Sequence, residues 1–459
     1  MSSPTQLSAH RATALYIGAL LGPGLLMLPG LAAGEAGPAS ILAWIGLLGA
    51  SGLLAAVFAA LGRAHPSAGG VTGYAAAGLG RRLGTVTGWC FLAGVVSGAA
   101  VVCMIGATYV TDLVGGGQPV RSAVAAVLLL IVLALTLGGA RASTAVQLAL
   151  VVLLVVMLVT AVGGSAAAAR AANWTPFAPH GWSAIGRAAA VLMLSFVGWE
   201  AVAPLTPRLA TPARLSWIIA AAFAVTAAIY LSLAVAVIAV LGPRAGDDVP
   251  VADLLEHAIG PAGRAVAAGA AIALTLVTVN AYLTGATTMA AGLMPRGDAA
   301  PAWRFPAIVA LAGLVELGLC AGRLVTTTQL ITTPTTLFLL VYLACMLAAA
   351  RTLAGPVRIA AAAAATAVAA ILLFTGWALA LAALVAGAAW LKARTASGPR
   401  YAQTTRLEPE EVLKALPGRV VLGERGRLCS LDGEVGGGSQ RPEGVHEQLV
   451  RGKRIQCLG

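Results

Sequence analysis

A lone carboxylate, Glu200, closes the segment Ser195-Phe196-Val197-Gly198-Trp199-Glu200 inside an otherwise apolar run. An ionisable group at that depth is costly and marks a site that uses it. Burial raises a carboxyl pKa, so Glu200 suits proton uptake near neutral pH. The competing role is a hydrogen bond that fixes a distorted helix. A second distinctive stretch, IGALLGPGLLMLPG, sets Gly22-Pro23-Gly24 at the centre of the first apolar run. Proline removes a backbone donor and glycine weakens a helix, so the helix must open there. A helix restarting near Gly24 aims N–H groups at an anion such as a carboxylate, with Gly24 and Leu25 as the donors. Carbonyls freed around Ser195 to Val197 suit an ammonium group. Together the two breaks match the two charges of an α-amino acid. The expected lining is Gly22, Pro23, Gly24 and Leu25 at one end and Ser195, Phe196, Val197 and Gly198 at the other. The competing reading is that these glycines only let helices pack closely.

Other residues carry less. Ser97 either lines the same pocket or packs between helices. Asn280 either hydrogen-bonds across helices or contributes to the cavity. Thr284, Thr287 and Thr288 offer sodium ligands in principle, although hydroxyls more often bond back to their own helix. Glu316 reads as structural or interfacial, and so does His65. The six cysteines include no C-x-x-C, and four lie in apolar runs, where a thiol packs as a small hydrophobe. No catalytic triad, H-E-x-x-H, metal-ligand set or cofactor motif is present.

The elements that must position these groups are set by composition. The 459 residues are 59% hydrophobic and 10% charged, with a mean hydropathy of +0.90. Soluble domains carry about 25% charge, which excludes an ordinary soluble enzyme. The solvent for most of this chain is lipid. Twelve apolar runs reach the length of about 20 residues that a span requires: 12–33, 38–62, 84–113, 120–138, 143–164, 184–207, 215–241, 264–293, 305–321, 326–350, 356–374 and 376–394. The net charge of +12 comes from Lys and Arg spread singly between spans, which marks topology rather than nucleic-acid binding. With the N-terminus inside, fourteen of the twenty Lys and Arg in residues 1–400 fall on the inner side. Both termini are therefore expected in the cytoplasm, in the inner (plasma) membrane. In the polar tail, 407–416 reads as a short helix and 435–439 as linker. The tail is either a regulatory appendage or a disordered end.

The two breaks open the first span of each of two five-span halves, the pattern that points to a transporter site near the bilayer midplane. Three segments carry a family resemblance: LLGPGLLMLPGLAAG, the loop HPSAGGVTGY at 65–74, and SFVGWE. The chain over about residues 10–394 resembles the amino acid–polyamine–organocation superfamily. With LGRAHPSAGG and VTGWCFL it is similar to bacterial exporters of methionine and branched-chain amino acids. The resemblance implies an all-α polytopic membrane protein of about twelve transmembrane helices. Its five-plus-five inverted-repeat core would have broken helices 1 and 6 and work by alternating access. The transporter domain is then 1–394, with repeats at about 12–164 and 184–350, extra helices at 356–394 and the tail at 395–459. Two departures stand out. Pro23 occupies a position where the family usually keeps an N–H, and TPRLATPAR has Thr211 where the family commonly has an acid.

The function expected is secondary transport of neutral, apolar amino acids, outward in exchange for protons at Glu200. Import or exchange by the same fold, an amino-acid sensor and a membrane enzyme are the alternatives. The expected partners are the amino acid, protons and the bilayer, with no cofactor and no nucleic acid.

Overall fold

The computed structural model describes residues 8–65, 70–139, 144–199, 214–293 and 303–395, and four short strands between 420 and 458. The chain divides into two compact units, Met1–Pro399 and Arg400–Gly459. Glu200, the loop 66–69, the segment 200–213 and the expected tail helix and linker lie outside the described residues.

In the first unit, α1 (Ala9–Leu20) and α2 (Gly24–Ala36) are the two halves of the first span, and α3 (Ser40–Ala64) is the second. A short α4 (Gly70–Leu79) leads into α5 (Arg81–Val114), followed by α6 (Gln118–Leu137) and α7 (Thr144–Ser165). The sixth span begins with α8 (Ala184–Leu192), and α9 (Leu215–Ala236) is the seventh. The short α10 (Pro250–Ile259) precedes α11 (Ala262–Leu293). The helices α12 (Arg304–Ala321), α13 (Thr327–Thr352), α14 (Pro356–Leu372) and α15 (Trp377–Thr395) complete the set. Among the described residues nine helical stretches are long and apolar enough to cross a membrane, one of them holding both α2 and α3; α8 and α14 are shorter apolar helices. The twelve apolar runs of the sequence thus each hold a helix, and the protein is a polytopic helical membrane protein.

Two residue patterns build this bundle. Facing outward, Val152, Val156 and Val159 on α7 and Ile308, Leu311 and Val315 on α12 form exposed apolar stripes at helical spacing. Such stripes suit contact with lipid tails. Facing inward, α5 runs through the centre and packs on α4, α6, α11 and α13. Missing side chains permit that approach: a Cβ on Gly106 would stand 2.6 Å from Thr275 Oγ1.

The second unit holds β1 (Val420–Leu422), β2 (Leu428–Ser430), β3 (Val445–Val450) and β4 (Lys453–Leu458). They pair antiparallel in the order β1-β2-β4-β3, with Val421 opposite Cys429, Cys429 opposite Cys457 and Gln448 opposite Ile455.

Candidate functional site

The first break spans Leu21 to Pro23. The last ordinary helical bond of α1 runs from Leu21 N–H to the Ile17 carbonyl at 2.7 Å. Pro23, with φ −56° and ψ −20°, then starts α2, the helix position where a missing N–H costs least. Of the two donors expected for a carboxylate, Leu25 N–H already points at the Gly22 carbonyl at 3.2 Å. Gly24 is the donor of the pair without such a turn bond among the described residues. Leu21, Pro23 and Leu25 are buried, whereas Gly22 and Gly24 keep partial exposure. A Cβ on Gly22 would meet nothing within 4 Å, so open space adjoins the break.

The second break follows the same logic with different residues. The helix α8 tightens to a 3₁₀ turn at Met193–Phe196, and Val197 turns extended. Gly198 then takes φ +145°, a conformation that a side chain strongly disfavours. Its amide donates to the Tyr342 hydroxyl at 2.9 Å, and Trp199 Nε1 donates to Ser51 Oγ at 2.8 Å.

The fold brings the two breaks together. A Cβ on Gly24 would lie 3.5 Å from Ser195 Oγ, and one on Gly198 would lie 2.5 Å from the Ala19 carbonyl oxygen. The Tyr230 hydroxyl, from α9, stands 2.6 Å from the Leu20 carbonyl and 2.5 Å from the Ser195 carbonyl. A phenol has one proton, so the two carbonyls share a single donor. Ser195 Oγ is buried and has no hydrogen-bond partner among the described residues. Trp44, Phe196 and Tyr230 pack edge-on or tilted, with ring centroids 5.1 to 5.9 Å apart, and form an apolar wall beside these polar atoms. One end therefore offers a helix N-terminus, the other offers acceptors, and an aromatic cluster stands beside them. A helix N-terminus favours an anion, free carbonyls favour a cation, and an aromatic wall favours apolar surface.

Other residues singled out in the sequence make their contacts elsewhere. Asn280 Oδ1 accepts from Thr136 Oγ1 at 2.9 Å, tying α11 to α6. The Ser97 hydroxyl lies in the field of the Glu316 carboxyl on α12, without a hydrogen bond of good geometry. Thr284, Thr287 and Thr288 donate to carbonyls of their own helix at 2.7, 2.8 and 3.1 Å. Among the described residues no group of three or more His, Cys, Asp or Glu is placed to hold a metal. The residues that sequence reasoning missed are Tyr230, Tyr342 and Trp44. Their signal was faint: an aromatic with a polar tip inside a span, where that tip must find a partner.

The amino acid permease family matches residues 7–397. An uncharacterised amino acid permease of Bacillus subtilis (strain 168), YecA, is 31% identical over 405 residues, which cover 84% of this chain and 95% of that protein. The L-methionine/branched-chain amino acid exporter YjeH of Escherichia coli (strain K12) is 39% identical over 104 residues, 23% of this chain and 25% of the exporter. The methylthioribose transporter of Bacillus subtilis is 24% identical over 306 residues, 63% of this chain and 64% of that protein.

Proposed function

The chain belongs to the amino acid permease family, and on that premise we propose that it exports neutral, apolar amino acids by alternating access, in exchange for protons taken up at Glu200. The observation that carries this reading is the meeting of Gly24 with Ser195, which sets a helix N-terminus opposite a carbonyl-rich break. An α-carboxylate lies at Gly24 N–H, and the ammonium group lies against Ser195 and the shared carbonyls of Leu20 and Ser195. The side chain rests on the Trp44–Phe196–Tyr230 cluster, which has no charge to pair with a cationic side chain. Export is supported by the stretch shared with YjeH, a protein named for exporting methionine and branched-chain amino acids.

Proton coupling rests on Glu200 following the second break in sequence, so that one added charge there changes the field on the ammonium group. The membrane orientation is N- and C-terminus inside, in the inner membrane. It is supported by the excess of Lys and Arg on the inner side, fourteen of twenty in residues 1–400; of the six on the other side, Arg121, Arg187, Arg244 and Arg264 pair with Asp or Glu. Residues 1–394 form the transporter domain, within the compact unit Met1–Pro399. The test is flux in proteoliposomes under an imposed pH gradient, with and without sodium. Leucine or methionine leaving against its gradient with protons entering, unchanged when potassium replaces sodium, supports the reading. A flux that requires sodium removes the proton from it.

A further inference from the structure

On the face of the bundle where α5 ends and α11 begins, charged residues surround a cavity of about 430 Å³, lined by Asp112, Arg244, Asp247, Asp248, Asp253 and Arg264. Arg264 is its hub. Its Nη1 reaches both Asp112 oxygens at 2.9 and 2.7 Å, its Nε reaches Glu256 at 2.7 Å, and its Nη2 reaches Asp253 Oδ1. Arg244 bonds Asp247 at 3.1 Å and the same Asp253 Oδ1 at 3.2 Å, and Arg121 holds Asp248 at 2.6 Å. Five carboxylates thus face three guanidinium groups, a net charge of two negative when all are ionised.

The imbalance has a definite address. Both arginines converge on one oxygen of Asp253, a residue only 1% exposed, while Oδ2 is buried with no hydrogen-bond partner. Desolvation pushes this carboxyl above its ordinary value even against the pull of Arg244 and Arg264. A cluster built for stability alone satisfies its buried oxygens. This one leaves Asp253 Oδ2 without a donor, and Arg121 Nε, on the guanidinium that holds Asp248, without an acceptor, beside a cavity in the size range of small-molecule sites.

The loop that lines the cavity packs on α2. The Tyr109 hydroxyl of α5, near the cavity, donates to the Leu26 carbonyl of α2 at 2.5 Å. Gly30 of α2 sits against the Asp247 carbonyl, and Gly34 against Gly246. An occupant therefore rests on the loop that seats α2, the half-helix that begins at Gly24.

We propose that this cavity docks the ammonium group of an amino acid on its way to or from the central site, with Asp253 Oδ2 as its acceptor and Arg244 facing the carboxylate. The identity of the occupant rests on the transport reading above; the need for a cationic donor does not.

Gly24→Leu fills the central site, so equilibrium binding to that variant in detergent reads the cavity. The probes are labelled leucine, methylammonium, isovalerate (the leucine skeleton without its ammonium group) and potassium chloride at matched ionic strength. Gly24→Leu is expected to bind leucine weakly, in competition with methylammonium but not with isovalerate or potassium. Adding Asp253→Asn should weaken that binding by about tenfold or more, the value of a charged hydrogen bond. Because that change also strands two arginines, the rim variant Asp247→Asn is the control. It should weaken binding by about twofold, as a partly screened charge does, with the melting temperature unchanged. Potassium displacing leucine as well as methylammonium does would make this an inorganic cation site and overturn the proposal. A wild type that transports leucine while Gly24→Leu binds neither leucine nor methylammonium removes the docking site and leaves the transport reading standing. Methylammonium binding that depends on Asp253, in a protein that transports no amino acid, keeps the cation cavity but overturns both the amino-acid occupant and the transport reading.

Discussion

Gly24 and Ser195 face each other across the two helix breaks, so near that a Cβ on Gly24 would stand 3.5 Å from Ser195 Oγ. They are 171 positions apart in sequence and belong to different spans. Neither break could hold both ends of a zwitterion alone. Their apposition brings two weakened helices together, as the proposed site requires.

Gly24 tests that surface most simply. The Cβ of Gly24→Ala would meet the Leu28 Cδ1 methyl at 3.0 Å, a flexible side-chain end that can shift. The variant should fold and raise the transport KM. Gly24→Leu should fold with a near-normal melting temperature and lose transport. Pro23→Ser restores an N–H at the helix start and should leave affinity equal or better, read as KM.

Gly198 and Gly22 should behave oppositely. Gly198→Ala forces a side chain onto φ +145° and sets its Cβ 2.5 Å from the Ala19 carbonyl oxygen. The cost should exceed about 2 kcal/mol and appear as lost yield or a lowered melting temperature. Gly22→Ala meets nothing within 4 Å and should express and melt normally.

Tyr230→Phe removes the one proton shared by the Leu20 and Ser195 carbonyls. Stranding buried acceptors costs about 1–3 kcal/mol. A melting temperature and KM both equal to wild type would show that the phenol does not hold the breaks together.

The pH dependence should have two separable sources. Glu200→Gln keeps the shape but cannot ionise, so it should flatten the pH profile of transport while retaining substrate binding. Asp253 answers for the docking cavity. It is faced by Arg264 from α11, by Arg244, Asp247 and Asp248 from the loop before α10, by Asp112 and Tyr109 from α5, and by Glu256 and His257 from its own helix. Its folded pKa is raised, so its ionisation opposes folding. Its stabilising contribution is full below the ordinary carboxylate range and declines as pH rises through the elevated value. Ammonium docking needs the carboxylate, so methylammonium binding to Gly24→Leu should weaken as pH falls through that value.

Much of this architecture was legible because lipid imposes a strong rule: a span is a run of about 20 apolar residues, and an interruption within it must line protein or a cavity. Gly22-Pro23-Gly24 and Val197-Gly198 were therefore readable as breaks. Their partners were not, because Tyr230, Tyr342 and Trp44 look like ordinary apolar residues of their spans until the helices are placed. Ser97 and Asn280 were drawn toward the cavity by polarity alone, and polarity does not say which helix face a residue occupies. The tail strands β1 and β2, three residues each, are too short to carry an alternation signal.

The most direct measurement is counterflow in proteoliposomes preloaded with unlabelled amino acid, followed by entry of the labelled form. Liposomes loaded with leucine or methionine should take up the labelled amino acid transiently above their final level, those loaded with arginine should not, and Gly24→Leu should abolish the overshoot. Uptake no greater than in protein-free liposomes for every neutral amino acid, or an overshoot that survives Gly24→Leu unchanged, would contradict a transport site between the two broken helices.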